Sequence, residues 1–254
     1  MLDSPLQAVA VLLAGFCGGA VNAVAGGGTN LSFPALLWLG LPPVTANATS
    51  AVALWPGSLS GALGFRRALR GVEHRWWWLL LPSLLGGVLG ALLLVEGPPR
   101  AFAAAAPWLV LGSTLLFAIE PALRRSLPAL AGHHSLLLAH VAQLVISVYG
   151  GYFGAGIGIL MLASLGLSGV EDLAQATGLK NLLAAAIKGA AVVYLALGGT
   201  VVWGVAAVMA IGALAGGWAG ADLAQRLRPR TLRAAILLIG VVMSIATFLG
   251  VSQS

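Results

Sequence analysis

The chain alternates long apolar segments with short polar loops, and the apolar segments indicate its class. Eight apolar runs reach the length of about 17–25 residues that a membrane-spanning helix needs. They cover roughly residues 6–25, 44–65, 76–95, 101–119, 135–155, 173–197, 201–221 and 234–250. Two further runs, residues 31–41 and 157–167, are only 11 residues long. The pattern predicts an all-α polytopic membrane protein with about eight full-length transmembrane helices and two short ones.

Each short run follows a group of glycines that interrupts a longer apolar segment. The two groups lie at residues 26–28 and 154–158. Backbone that leaves the helix at membrane depth must be buried in protein or line a watery cavity, because lipid cannot satisfy its N–H and C=O groups. Glycine-broken helices at corresponding places of two halves are the best sequence indication of a transporter's substrate site. A helix of 11 residues is about 17 Å long, so the sequence leaves open whether it is re-entrant or a short crossing.

The chain divides into two repeats, residues 1–128 and 129–254. Matches between them follow a constant offset of 128 residues around the glycine breaks and an offset of 130 further on. The later matched blocks, residues 86–91 and 216–221, both read GGxxGA. Small residues at this spacing let helix backbones approach closely in lipid. We therefore expect these two blocks to serve helix packing.

The basic residues indicate how the two repeats are oriented. Arginines cluster in three loops, around residues 66–75, 124–125 and 226–233, and the positive-inside rule places all three loops in the cytoplasm. The loop at 222–233 is the repeat equivalent of the loop at 96–100, which follows one span after a cytoplasmic loop and so lies outside. Equivalent loops on opposite sides predict inverted repeats, with both chain termini outside.

The composition agrees with a membrane protein and excludes several classes of function. The chain of 254 residues is 59% hydrophobic and 8% charged, whereas soluble domains carry about 25% charged residues. Its net charge of +6 comes from loop arginines, so we expect the lipid bilayer and no nucleic acid as a partner. Cys17 is the only cysteine and the histidines lie mainly in loops. We therefore predict no metal site and no cofactor.

Polar residues within or beside the spans concentrate near the glycine breaks and near the Ala-Thr motifs that follow them at Thr49 and Thr177. A single Ser or Thr in a helix often bonds only its own helix's carbonyl, but their concentration at two related places predicts a substrate site between the breaks. The candidate substrate-binding residues are Gly26, Gly27, Gly28, Thr29, Asn30, Asn47, Thr49, Ser50, Tyr152, Gly154, Gly156, Gly158, Thr177, Lys180 and Asn181.

The two lysines indicate the charge of the substrate. Lys180 and Lys188 both lie in the apolar run 173–197. A charge at the bilayer centre costs about 2.5–3.5 kcal/mol on insertion scales, which makes each lysine a functional-site hypothesis by default. We expect Lys180 to project with Thr177 toward a cavity at the second break, the alternative being that it snorkels to an interface. Lys188 lies nearer the centre of the run.

No carboxylate lies deep in a span. This argues against a proton relay through embedded carboxylates and against a carboxylate-rich site for a metal cation. Lysines and the N-termini of broken helices, which present N–H groups and a positive dipole end, favour a small anionic substrate. The lack of buried carboxylates or of a histidine cluster also argues against a membrane-embedded enzyme. An anion channel stays open as an alternative, because channels and transporters of one architecture can differ only in gating.

Four segments carry a resemblance to a known family. Residues 14–36, with the first glycine group, and residues 47–50 resemble the TauE/SafE sulfite exporter family, and residues 175–180 and 198–204 look like its second repeat. The resemblance covers nearly the whole chain. It implies a multi-pass secondary transporter of the bacterial inner membrane that carries sulfite, an organosulfonate or another small organic acid. The anion, the coupling ion, the transport direction and the oligomeric state, a homodimer included, are left open.

Overall fold

The computed structural model describes residues 4–130 and 136–226, together with six residues near the C-terminus, 237, 238, 241, 242, 244 and 245. This part of the chain is helical and contains no β-strand. The α-helices are α1 (Pro5–Ala25), α2 (Thr29–Trp38), α3 (Pro43–Gly64), α4 (Arg66–Leu69), α5 (Leu80–Glu96), α6 (Pro99–Leu130), α7 (Leu136–Tyr152), α8 (Ile157–Leu167), α9 (Leu173–Leu197) and α10 (Trp203–Arg226). A 3-10 helix (His74–Leu79) leads into α5.

Within the described residues, five helical segments are long and apolar enough to cross a membrane, and they agree with five of the eight predicted runs. This makes the chain a multi-pass membrane protein. The five segments are Pro5–Val24, His74–Glu96, Pro99–Glu120, Leu173–Leu197 and Trp203–Asp222.

The other three predicted runs differ from a simple span. Run 44–65 forms α3, which has 22 residues but buries polar side chains such as Asn47 and Ser50 and is therefore less apolar than the five. Run 135–155 forms α7, which has only 17 residues because the helix ends at Tyr152, just before the second glycine break. Run 234–250 lies mostly outside the described residues. The count of eight full-length helices stays a prediction.

The two short helices form where the glycine breaks predict them. α8 has 11 residues and covers the predicted run of residues 157–167. α2 has 10 residues and begins two residues before the predicted run 31–41, because the helix already starts at Thr29, directly after the glycines. Both are shorter than the hydrocarbon core of a membrane, which needs about 20 helical residues.

Contacts between helices give their relative directions. α3 and α9 are antiparallel, since Trp55 Nε1 donates to the Ala185 carbonyl at 3.1 Å while Phe65, just beyond α3, lies against Gly178 near the start of α9. α10 runs parallel to α1 and α3, and α5 runs parallel to α7 and α9, because residue numbers rise together along these contacts. Helices α1, α3 and α10 therefore point one way, and α5, α7 and α9 point the other way.

Glycines allow the long helices to touch through their backbones. Gly216 of α10 lies against the main chain of Phe16, where an added Cβ would be 1.9 Å from the Phe16 carbonyl oxygen. Gly86 of α5 lies against the Leu144 carbonyl and against Ser147 of α7. Both GGxxGA blocks thus pack helices together, as their spacing predicts.

Candidate functional site

The glycine breaks end one helix and begin another in the interior of the protein. Gly26 ends α1 with a φ of 75°, and its N–H donates to the carbonyls of Val21 and Asn22. In the second half, Gly154 and Gly156 have φ angles of 83° and 76°. These left-handed conformations are accessible to glycine at little cost. No side chain caps the N-terminus of α2 or that of α8.

The two breaks are in direct contact with each other. A Cβ added to Gly26 would lie 2.3 Å from the Gly158 Cα, so only glycine fits at this crossing. The Gly158 N–H points to the Gly26 carbonyl oxygen at 3.5 Å. The N-termini of α2 and α8 therefore meet in the interior of the protein. The first N–H group of each helix, that of Thr29 in α2 and that of Ile157 in α8, makes no hydrogen bond in the described part of the chain. Together with the positive ends of the two helix dipoles, these groups form a site suited to an anion.

Helix α6 covers this junction. A Cβ added to Gly27 would lie 1.9 Å from the Phe117 Cζ, so the Phe117 ring packs directly against this glycine. Ser113 lies against Gly156 and donates its hydroxyl to Asn30 Oδ1 at 2.6 Å. Asn30 is buried, and its Nδ2 has no hydrogen-bond partner in the described part of the chain. This side chain therefore offers a free donor in the first turn of α2.

Lys180 reaches the first break rather than the second. Its ammonium donates to the main-chain carbonyls of Asn22 at 3.4 Å, Ala23 at 3.0 Å and Val24 at 3.4 Å. Asn181 Nδ2 also donates to the Ala23 carbonyl, at 3.0 Å. The positive charge lies at the C-terminal end of α1, where a helix dipole favours a cation. Lys180 and Asn181 thus satisfy the carbonyls at the end of α1. The Asn22 carbonyl also accepts from the Gly26 N–H, whereas the Ala23 and Val24 carbonyls depend on these two side chains.

Lys188 reaches the same region from further along α9. Its ammonium donates to Asn22 Oδ1 at 3.3 Å, and Asn22 Nδ2 donates to Ser58 Oγ at 2.7 Å. All three side chains are buried. Sequence reasoning weighed Lys188 but did not place it among the site residues, and it missed Asn22 and Ser58. The signal for Asn22 was a polar residue four positions before Gly26 in an otherwise apolar run.

The predicted residues of the first Ala-Thr motif have separate contacts. Asn47 Nδ2 donates to the Tyr152 carbonyl at the end of α7, at 2.8 Å, while Asn47 Oδ1 is buried without a partner in the described residues. Ser50 Oγ lies 2.6 Å from Ser32 Oγ of α2. Thr49 Oγ1 accepts from the Val202 N–H at 3.1 Å. Asn47 and Ser50 thus hold the segments around the breaks, whereas Thr49 contacts the start of α10.

The remaining predicted residues fall into two groups. Thr29 lies beside the second break, its Oγ1 3.8 Å from the Cβ position of Gly154. Thr177 donates to the Leu173 carbonyl of its own helix at 2.7 Å, the local bond that is common for a helical Thr. The structure therefore gathers the two glycine groups, Thr29, Asn30, Asn47, Ser50 and Tyr152 around one junction. A role of these residues in substrate binding stays a prediction.

An aromatic cluster lies beside the second break. Phe33 of α2 packs against Phe102 and Phe153 with ring centroids 6.2 and 5.4 Å apart, and Tyr152 packs against Phe102 at 5.4 Å. An apolar groove of about 700 Å³ between α5, α6 and α7 is lined by Phe102, Tyr149 and Tyr152. Phe102 and Tyr152 thus belong both to the aromatic cluster and to the wall of the groove.

A second cavity lies apart from the breaks. Its volume is about 420 Å³, and its lining is mostly polar, with Glu73, Arg75, Glu171, Asp172 and Gln175 among the residues. In the described part of the chain, no three His, Cys, Asp or Glu side chains are grouped as ligands for a metal ion.

Comparison with known proteins agrees with this architecture. The sequence profile of the family described as sulfite exporter TauE/SafE matches residues 11–247. A probable membrane transporter protein of Haemophilus influenzae is 30% identical over 246 residues, which cover 96% of this chain and 95% of that protein. The probable membrane transporter protein YfcA of Escherichia coli is 29% identical over 243 residues, covering 95% and 89%.

A probable membrane transporter protein named ORF9 from a Sinorhizobium species is 28% identical over 251 residues, covering 96% of this chain and 94% of that protein. The names of these relatives indicate a membrane transporter rather than an enzyme. The profile match spans most of the chain, and the relatives align over nearly their full length. This chain therefore belongs to the TauE/SafE sulfite exporter family of membrane transporters.

Proposed function

We propose that this protein is a secondary transporter of a small anion, with sulfite, an organosulfonate or another small organic acid as its substrate. The observation that carries the proposal is the contact of Gly26 with Gly158, which brings the uncapped N-termini of α2 and α8 together. The buried, unpaired donor of Asn30 lies in the same turn of α2. Hydrogen-bond donors that converge in the interior, without a carboxylate deep in a span, suit an anion. The family name adds sulfite as the first candidate.

The proposal includes two inverted repeats. When the two repeats are aligned with the offsets of 128 and 130 residues, α1 corresponds to α7, α3 to α9 and α5 to α10. The members of each pair point in opposite directions, as the contacts between the helices indicate. Opposite directions for all three pairs support inversion, since parallel repeats would give each pair the same direction. The arginine-rich loops then place the end of α3 in the cytoplasm of a bacterial inner membrane, with the end of α5 outside.

Inverted repeats provide a route to alternating access, because two equivalent arrangements of the halves would open the junction to opposite sides. In the arrangement described here, the aromatic cluster around Phe33 and Phe102 lies on the proposed outer side of the breaks. We propose that this cluster closes the path from the outer side of the membrane to the junction. Phe117 and Ser113 of α6 cover the breaks laterally. Movement of α6 and α2 relative to α7 would open the cluster.

The test is transport by the purified protein in liposomes, screened with radiolabelled sulfite, sulfoacetate, acetate, sulfate and taurine. We expect uptake of at least one small anion, and we expect the same unlabelled anion inside the vesicles to accelerate uptake. Such trans-stimulation is a property of a carrier and not of a channel. Uptake of an anion without trans-stimulation would favour the channel alternative. The absence of flux for every anion would contradict the proposed function.

Two glycine variants link the flux to the breaks. Gly156→Val should abolish uptake, because Gly156 has a φ of 76° and an added Cβ would lie 3.3 Å from Ser113. Gly112→Val is the matched control, since no atom of the described residues lies within 4 Å of its Cβ position on α6. We expect this control to transport like the parent. Equal transport by both variants would remove the second break from the site.

A further inference from the structure

We propose that the Lys188 ammonium is the charged group that binds the anionic head of the substrate, while Lys180 serves to cap the end of α1. The inference rests on the proposed function and deepens it, because it names the residue that neutralises the anion. It also reverses the expectation from sequence, in which Lys180 had that role.

The hydrogen bonds of the two lysines differ. An ammonium has three N–H donors. Lys180 uses them on the carbonyls of Asn22, Ala23 and Val24, at the helix end that favours a cation. Lys188 makes one hydrogen bond in the described part of the chain, to Asn22 Oδ1 at 3.3 Å. It is 2% exposed, so its other donors have no access to bulk water.

The position of Lys188 is level with both glycine breaks. Its partner Asn22 packs against Gly28, where an added Cβ would be 3.0 Å from the Asn22 Cβ. The preceding residue, Ile187, lies against Gly150, and so does Ile157, the first residue of α8. Lys188 therefore projects from α9 at the height where α2 and α8 begin. An anion held by these helix N-termini would come close to the ammonium.

The surrounding helices do not supply a carboxylate for Lys188. The described helices α1, α3, α7 and α8 contain no Asp or Glu. Helix α5 has only Glu96, its last residue, which accepts a hydrogen bond from Tyr194. A buried ammonium that faces one neutral amide oxygen keeps an uncompensated charge, which is costly in a membrane interior. A bound oxyanion would neutralise this charge, and their attraction is stronger where water is excluded.

The groups at the junction also define the class of head group. Lys188, the Asn30 Nδ2 and the first N–H groups of α2 and α8 are donors, while the unpaired acceptor Asn47 Oδ1 belongs to the side chain that binds the Tyr152 carbonyl. A head group that only accepts hydrogen bonds matches them, as a carboxylate, a sulfonate or sulfite does. A primary ammonium group does not match them. The end of the substrate that enters the junction is therefore an oxyanion.

The decisive variant is Asn22→Asp. It changes one amide to a carboxylate whose oxygen would lie where Asn22 Oδ1 now lies, 3.3 Å from Lys188 Nζ. The new carboxylate forms an internal ion pair that replaces the substrate, and Ser58 can reorient its hydroxyl to donate to it. Binding should weaken about tenfold or more, the loss typical of one charged hydrogen bond, while the protein stays folded.

The measurement is the thermal shift that sulfite and sulfoacetate produce in detergent, together with their uptake into liposomes. The parent should be stabilised by the anion, because a ligand that binds only the folded state raises its stability. Asn22→Asp and Lys188→Met should both lose this shift and the uptake. Without anion, both should unfold at or above the parent's temperature, since Lys188→Met removes the uncompensated buried charge and Asn22→Asp pairs it with a carboxylate.

Lys180→Met serves as the contrasting variant, because it should lower the unfolding temperature without anion. Parent-like shifts and uptake in both Asn22→Asp and Lys188→Met would overturn the role of Lys188 and leave the proposed function standing. A parent protein that neither binds nor transports any of the anions would overturn both the role of Lys188 and the proposed function.

Discussion

Lys180 shows how one residue can end a helix inside a membrane protein. Helix α1 stops at Ala25, and the last carbonyls of a helix have no intrahelical partners. Asn22 and Ala23, which carry two of them, are buried, and an unsatisfied carbonyl in an apolar environment is costly. Lys180 and Asn181 donate to these carbonyls from α9. The lysine that the sequence marks as an anion ligand thus has a structural task in the same place.

We predict that Lys180→Met destabilises the protein by about 1.5–3 kcal/mol, the usual worth of a hydrogen bond to a charged group. Methionine keeps most of the side-chain volume and removes the three donors. Reversible unfolding in mixed detergent, or the shift in unfolding temperature, measures the effect. An unchanged stability would mean that the carbonyls of Asn22, Ala23 and Val24 find other partners without the lysine.

The long helices pack against one another through small residues, whereas the short helices α2 and α8 meet at their N-terminal ends. Gly216 contacts the Phe16 carbonyl and Gly220 contacts Ala20, which brings α10 to backbone distance from α1. Packing of this kind drives association in lipid, where the hydrophobic effect between helices is absent. The tight pairs of long helices form a frame around the short helices α2 and α8.

Gly216→Leu should therefore prevent folding or strongly lower the yield of monodisperse protein. Gly204→Leu on the same helix is the matched control, because in the described part of the chain nothing lies within 4 Å of its Cβ position. We expect the control to elute from a size-exclusion column like the parent. A monodisperse, transport-competent Gly216→Leu protein would show that α1 and α10 do not need this close contact.

The aromatic cluster is the second feature at the scale of helices. Phe33 is fully buried between Phe102 and Phe153, so Phe33→Ala should open a path from the proposed outer side to the second break. In a Cys17→Ala background, an impermeant thiol reagent should then label Ala155→Cys severalfold faster from outside. Phe16→Ala is the control, since Phe16 is 40% exposed on the bundle surface. An unchanged labelling rate in Phe33→Ala would mean that the cluster does not close the path from outside to the second break.

For the whole molecule, the sequence predicts the elements more completely than the contacts between them. The bounds of α8 and α9 coincide with apolar runs, and the glycine groups predict where α1 and α7 end. The run at 44–65 gives a less apolar helix than predicted because α3 faces the interior with Asn47 and Ser50. No sequence pattern predicts that Ser113 and Phe117 cover the breaks, because these contacts depend on how α6 crosses α2 and α8.

The orientation of the repeats gives a prediction on the same scale. In a Cys17→Ala background, Leu69→Cys in α4 and Leu227→Cys, which lies outside the described residues, should both resist an impermeant thiol reagent in intact cells. Both positions lie in arginine-rich loops that the positive-inside rule assigns to the cytoplasm. Labelling of Leu227→Cys from outside, with Leu69→Cys protected, would support parallel repeats and contradict the inverted arrangement.

We expect an anion to bind where the N-termini of α2 and α8 meet, and the proposed function depends on this binding. Its most direct test is anomalous diffraction from crystals of the protein soaked with selenite, which has the shape and charge of sulfite and contains an anomalous scatterer. We predict one peak between Gly28 and Ile157, with oxygens about 2.7–3.2 Å from the helix N–H groups and in reach of Lys188. A peak confined to the polar cavity at Glu73 and Arg75, with none at the junction, would contradict the binding of an anion between α2 and α8.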